Sequence, residues 1–353
     1  MARVPTGLRN VAILLLIWEI AGRMDLVASG ALPGFSEILI RLWEDRADYP
    51  RHIWATLYAS GVGFLIGNAI ALMAGVAFAM SPTLLRLFRG VNIAVFALPP
   101  IAIAPILVLT LSGMAPRIVL AALAVYFVTM TATVIGISQS DSRASDLVKA
   151  YGGGRWRILW LVQLRSALPT IITGFQIAAP NAVLGAILAE FGGGGRWGLG
   201  TYLLGSLGRG EPDRLWGIGL IATAIAGLGY LFFALISRRL IGATRAVTLN
   251  TATPIGEAVS TSPLKRTMML IGIVSLPFLL WWAFIVLTGV PAMIGKTPFG
   301  VIDYLFFAKT APVAQEKLFQ ALSETLPITF AGMAAGIGFA FLLAISTRLF
   351  PNA

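Results

Sequence analysis

Residues 54–79 read WATLYASGVGFLIGNAIALMAGVAFA, 26 consecutive positions without a charged side chain. A helix rises about 1.5 Å per residue, so about 20 apolar residues suffice to cross about 30 Å of bilayer hydrocarbon. Working outward on the same scale gives seven more stretches, at roughly 8–22, 91–111, 118–138, 168–191, 215–236, 268–289 and 326–347. The first is short and carries Glu19. Arg3 and Arg9 could make it a secretory signal, but an acidic residue is unusual in a signal core and no small-residue cleavage pattern comes after it. The fold expected is therefore an all-α polytopic membrane protein of about eight transmembrane helices.

Composition agrees. The 353 residues are 58% hydrophobic and 12% charged, with a mean hydropathy of +0.86, against about 45–50% and about 25% in soluble domains. The absence of cysteine excludes disulfides, thiolate metal sites and a cysteine nucleophile. A single histidine, His52, argues against a histidine-built zinc site or catalytic triad. The net charge of +11 would suit nucleic acid, but its distribution says otherwise. With the N-terminus inside, the inner segments hold 15 basic and 3 acidic residues, and the outer loops hold 11 and 10. The positive-inside rule accounts for the whole excess, with the N-terminus cytoplasmic and no nucleic-acid partner required.

Residues 237–267 interrupt the apolar pattern with Arg238, Arg239, a Thr/Ala-rich run, Pro254, Pro263, Lys265 and Arg266, which reads as a cytoplasmic linker. The segment after this linker echoes the start of the chain. Thr56, Gly63 and Gly67 of the second span are matched by Thr325, Gly332 and Gly336 of the eighth, at a common offset of 269. Trp18 has counterparts in Trp281 and Trp282. Small residues are frequent in membrane helices, but three matches after a Trp-bearing helix and an outer loop favour a repeat. The expected organisation is a six-helix unit over 1–240, a linker over 241–266, and the first two helices of a second unit over 267–353. Two nucleotide-site look-alikes fail. Gly289 and Gly295-Lys296-Thr297 have five residues between the glycines where a phosphate loop needs four, and Gly193, Gly195 and Gly198 lack a βαβ context.

The longest inner loop of the six-helix unit, 140–167, contains Asp146-Leu147-Val148-Lys149-Ala150-Tyr151-Gly152, two more glycines, Arg155-Trp156-Arg157, and a run to Leu168-Pro169. It reads as a short helix broken at Gly152–Gly154, then an amphipathic helix entering the membrane. Leu147, Val148 and Tyr151 among charges form a knob shaped for a partner's groove; on composition alone, a solvated basic loop is an equal reading.

This loop resembles the EAA loop of binding-protein-dependent ABC importer permeases, E-A-A-x3-G-x9-I-x-L-P. Asp146 stands for the Glu, Leu147 and Val148 for the alanines, Gly152 for the Gly, Val162 for the Ile and Leu164 for the Leu. Arg165 departs from the Pro, while Leu168-Pro169 matches a second L-P found in the nitrate/sulfonate/taurine branch. Trp18-Glu19, Leu98-Pro99-Pro100 with Pro105, Gly174, Ala189-Glu190 and Gly198-Leu199-Gly200 resemble that branch too. The resemblance implies a type I importer fold in a bacterial-type inner membrane, as a transport subunit and not an enzyme. It implies a separate ABC ATPase subunit holding ATP and Mg²⁺, an extracytoplasmic solute-binding protein, and a second permease unit to complete the pore. Asp146, Leu147, Val148, Ala150, Tyr151 and Gly152 would seat in the ATPase, with Arg155, Trp156 and Arg157 extending the contact. The solute implied is a small oxyanion, a sulfonate or a heterocyclic vitamin precursor.

Polar groups within spans are candidates for a solute pathway. Gln176, Asn181, Thr129 and Thr131 lie mid-span, although such groups as often hydrogen-bond neighbouring helices. Glu190 lies near a span end, where a snorkelling interfacial carboxylate is the preferred reading. Pro99, Pro100 and Pro105 allow a kink in the third span. Trp54, Trp216, Trp281 and Trp282 read as packing or interface anchors. A secondary transporter or channel is the rival. It would be expected to carry mid-membrane ionisable residues and often inverted repeats, whereas this repeat is parallel and the spans hold only two carboxylates.

Overall fold

The computed structural model describes residues 6–25, 30–193, 195–241, 263–291 and 295–349, and every regular element among them is helical. The chain divides into two compact units, 1–277 and 278–353. Six helices among the described residues are long and apolar enough to cross a membrane, or seven if one bent pair forms a single span. This is an all-helical polytopic architecture with fewer spans than the eight expected.

Two expected spans account for the difference. Helix α1 (Thr6–Arg23) carries Arg9, Glu19 and Arg23 in 18 residues, too many charges for an apolar span. It lies against α2 (Phe35–Glu44), where the Glu19 carboxylate accepts from the Ser36 amide at 2.8 Å and hydroxyl at 2.6 Å. The third expected span is not straight. Helices α4 (Pro82–Ala97) and α5 (Pro100–Thr110) meet at 91°. A residue preceding proline is driven out of the helical region, and Leu98 and Pro99, each followed by proline, are extended with ψ of 119° and 118°.

The centre of the first unit is α3 (Tyr49–Met80), α6 (Ala115–Ser138) and α9 (Leu164–Phe191). Small residues let their backbones approach closely, as packing between helices in lipid requires. A Cβ on Gly63 would lie 2.8 Å from the Ile118 carbonyl oxygen, and one on Gly67 2.8 Å from the Ala122 Cα. From α9, Gly185 meets the Leu120 carbonyl at 2.8 Å in the same way. Helix α7 (Ser142–Ala150) and α8 (Arg155–Ile158) lie between α6 and α9, and a π-helical turn, Leu159–Gln163, leads into α9. Ile137, Leu159, Ala167 and Ile171 form a buried cluster at that end. At the other end, Tyr49, Leu199, Tyr202 and Ile218 join α3 to α10 (Leu199–Arg209) and α11 (Pro212–Ile241). Arg238 and Arg239 belong to the last turn of α11 rather than to a linker. Most of the expected linker, residues 242–262, lies outside the described residues.

Helix α12 (Pro263–Thr288) begins in the first unit and ends in the second. The second unit continues with α13 (Pro298–Ile302), a π-helical turn and α14 (Ala311–Leu349). The Thr297 hydroxyl caps α13 by accepting from the Gly300 amide at 3.1 Å, and the Lys296 ammonium lies 5.4 Å from the Tyr304 ring centroid. Beyond Ala311 and Ala314, the described residues of α14 are exposed.

Candidate functional site

Loop 140–167 is built as a fixed projection. The Asp141 carboxylate caps α7 by accepting from the Arg143 amide at 2.8 Å. At its far end the Gly152 amide donates to the Lys149 carbonyl and the Gly153 amide to the Val148 carbonyl, both at 2.8 Å. This paired closure needs a left-handed residue, and Gly152 supplies it with φ of +74°. Gly154 then caps α8 in an extended conformation. The Arg155 guanidinium donates to the Met80 carbonyl at 2.6 Å, which pins α8 to the last turn of α3, where a cation is favoured.

The projection is apolar at its tip. Leu147, Tyr151 and Trp156 are 60%, 82% and 66% exposed, more than isolated surface hydrophobics require and in keeping with a docking patch. Val148 is half-buried, Ala150 and Arg157 are exposed, and Asp146 pairs with Lys149 at 2.9 Å. Trp160, on the next turn and also 66% exposed, extends the patch. Nothing in the sequence singles it out, because it falls within the apolar run.

At the opposite end of α3 the structure gathers groups from four elements. Glu190, near the end of α9, is fully buried and does not snorkel. Its carboxylate accepts from the Thr56 hydroxyl at 2.9 Å and from the Gly200 amide at 2.9 Å, and Arg117 Nη1 of α6 lies 3.8 Å away. Thr56 in turn accepts from the Leu199 amide at 2.9 Å. His52 Nδ1 lies 2.7 Å from the Gly198 carbonyl oxygen and 3.1 Å from its amide, and the tautomer selects which contact forms. Its ring stacks on Tyr202 at 4.4 Å. Gly198 has φ of +151°, and a side chain there would run into the Glu190 carboxylate. The clasp thus holds Gly198, just before α10, against α3 and α9. His52 and Arg117 are not legible as its members from sequence, since no local spacing links them to Glu190.

Beside the clasp, outside the spans, Asp45 is gripped by Arg214 at 2.6 and 2.9 Å, with Arg41 at 3.2 Å. Burial pushes the Asp45 carboxyl up, but the Arg214 hydrogen bonds and charge, aided by Arg41, hold it below the ordinary value.

The mid-span polar residues are not gathered into one site. The Thr129 hydroxyl donates to Asn68 of α3 and is fully buried. Gln176 donates to the Phe233 carbonyl of α11 at 3.4 Å. Thr131 and Asn181 are half-buried on α6 and α9.

A family model described as "Binding-protein-dependent transport system inner membrane component" matches residues 67–245, half of the chain. A Haemophilus influenzae protein named "Probable ABC transporter permease protein" is 28% identical over 225 residues, covering 64% of this chain and 91% of that one. The riboflavin transport system permease protein of Chloroflexus aurantiacus is 28% identical over 241 residues, covering 66% and 87%. The formylaminopyrimidine transport permease protein of Halalkalibacterium halodurans is 26% identical over 191 residues, covering 54% and 76%.

Proposed function

The chain belongs to the family of binding-protein-dependent transport inner-membrane components, the permeases of ABC importers, and on that footing we propose that it moves a small solute using ATP hydrolysed elsewhere. In this reading a separate ATPase subunit holds ATP and Mg²⁺ and receives the knob at 146–157. An extracytoplasmic binding protein delivers solute to the opposite face. The N-terminus and loop 140–167 are then cytoplasmic.

One observation carries the reading. Leu147, Tyr151 and Trp156 are exposed on a capped helix, α7, and on the short α8 that follows it, which Arg155 ties to α3. An apolar tip on a stiff stalk suits transmission of a partner's movement, whereas a solvated loop needs neither caps nor an anchor. Names of relatives support a small solute of the sulfonate or taurine class, or a vitamin or heterocyclic precursor. A second permease unit completes the pore, with residues 267–353 as its first helices. In support, α12, α13 and α14 repeat the long, short, long order of α1, α2 and α3.

Gly152→Asp adds a Cβ at a left-handed position and a charge at the tip. The expected result is loss of ATPase co-purification and of transport, with membrane insertion unchanged. Undiminished co-purification would overturn the reading.

A further inference from the structure

Arg51, Trp54, Ala55 and Tyr58 are spaced three, one and three residues apart and share one face of α3 near its N-terminus. Met114 and Trp197 flank this face, and together these residues bound an open depression of about 460 Å³, within the size range of small-ligand sites. It lies at the end of α3 remote from Met80, the residue that holds Arg155.

We propose that this depression binds a small anion bearing a planar ring. Three aromatic side chains, Trp54, Tyr58 and Trp197, offer faces on which a ring can stack, and they are 70%, 48% and 37% exposed. The Arg51 and Arg196 guanidinium carbons lie 5.2 and 5.1 Å from the Trp197 ring centroid. Guanidinium forks match the paired oxygens of sulfonate, carboxylate or phosphate. No carboxylate is among the described residues that line the depression.

One wall of the site adjoins the clasp. The His52 ring meets Trp197 edge-on at 5.4 Å, and the neighbouring Gly198 is held by His52 and packed against Glu190. Trp197 is therefore packed edge-on against a residue of the clasp. Membrane-interface anchoring also favours Trp and Tyr, but it does not call for a concave arrangement or for two cations beside one ring. The site rests on the permease reading only in being a station for the transported solute; binding itself needs no ATPase.

The test uses the full chain in phosphatidylcholine nanodiscs, titrated calorimetrically with 2-naphthalenesulfonate, methanesulfonate and 2-naphthalenemethanol, with empty discs subtracted. The aromatic sulfonate should bind at least tenfold more tightly than either comparison compound. Arg51→Gln and Trp54→Ala should each weaken it about tenfold, and Trp281→Ala should not. Equal binding of methanesulfonate or of the neutral ring, or indifference to both pocket variants, would overturn the proposal. So would loss of binding in discs containing phosphatidylglycerol, which would identify a lipid headgroup as the occupant. Binding here without ATP-driven uptake in the assembled transporter would leave this site standing and count against the coupling proposal alone.

Discussion

The Thr56 hydroxyl stands 2.9 Å from both oxygens of the Glu190 carboxylate, joining residues 134 positions apart across α3 and α9. That bond, with Gly200 and Arg117, turns an intramembrane carboxylate into a structural pin. Removing Glu190 takes away the acceptor shared by the buried Thr56 hydroxyl and the Gly200 amide. Glu190→Ala should therefore lower stability by about 2–4 kcal/mol, the cost of two buried donors left unsatisfied. Glu190→Gln, which keeps an acceptor for Thr56 and Gly200, should lower it less. Thermal unfolding of the purified chain in detergent measures both, and equal midpoints for the two variants would contradict the pin.

Asp45 gives a dependence on pH. Its carboxyl is held below the ordinary value by Arg214 and Arg41, so the folded state resists protonation more than the unfolded state, whose value is about 3.9. Its stabilising contribution is complete above that value and is lost as pH falls through the lower, folded one. Asp45→Asn should thus unfold at lower temperature than the parent at pH 7, and the gap should narrow below about pH 4. A gap independent of pH would mean that packing, not charge, holds α2 to α11.

Topology is testable without a background, because the chain has no native cysteine. Ser142 at the start of α7 and Ser112 between α5 and α6 are both exposed. A cysteine at 112 should react with an impermeant maleimide from the outside of intact cells, and one at 142 only after permeabilisation. The reverse pattern would invert the orientation.

Several of these elements are legible in the sequence because they are local. The break at Gly152–Gly154 follows from three adjacent glycines, and the apolar runs locate α3, α6 and α9 within a few residues. The bend at Leu98–Pro99 is only half legible. Three prolines announce a kink, but two consecutive prolyl residues end one helix and begin the next, while Pro105 sits inside α5 without breaking it. Glu190 reads from sequence as a shallow snorkelling group because its partners come from α3, α6 and the first turn of α10. Sequence spacing carries no information about contacts formed when distant helices pack. Glu19 pairs with Arg23 four residues on, a contact that helical spacing can name, and with Ser36, 17 positions away, which it cannot.

Coupling to ATP requires the exposed tip of loop 140–167 to seat in an ATPase subunit. A photoreactive amino acid at Tyr151, the most exposed residue of the tip, reports that contact in cells producing the chain with its ATPase. Illumination should give an adduct of combined mass, lost when Leu147→Asp is added. The same group at Leu207, which is exposed on α10, should give none. An adduct from position 207 with none from 151 would contradict the seating of this loop in the ATPase.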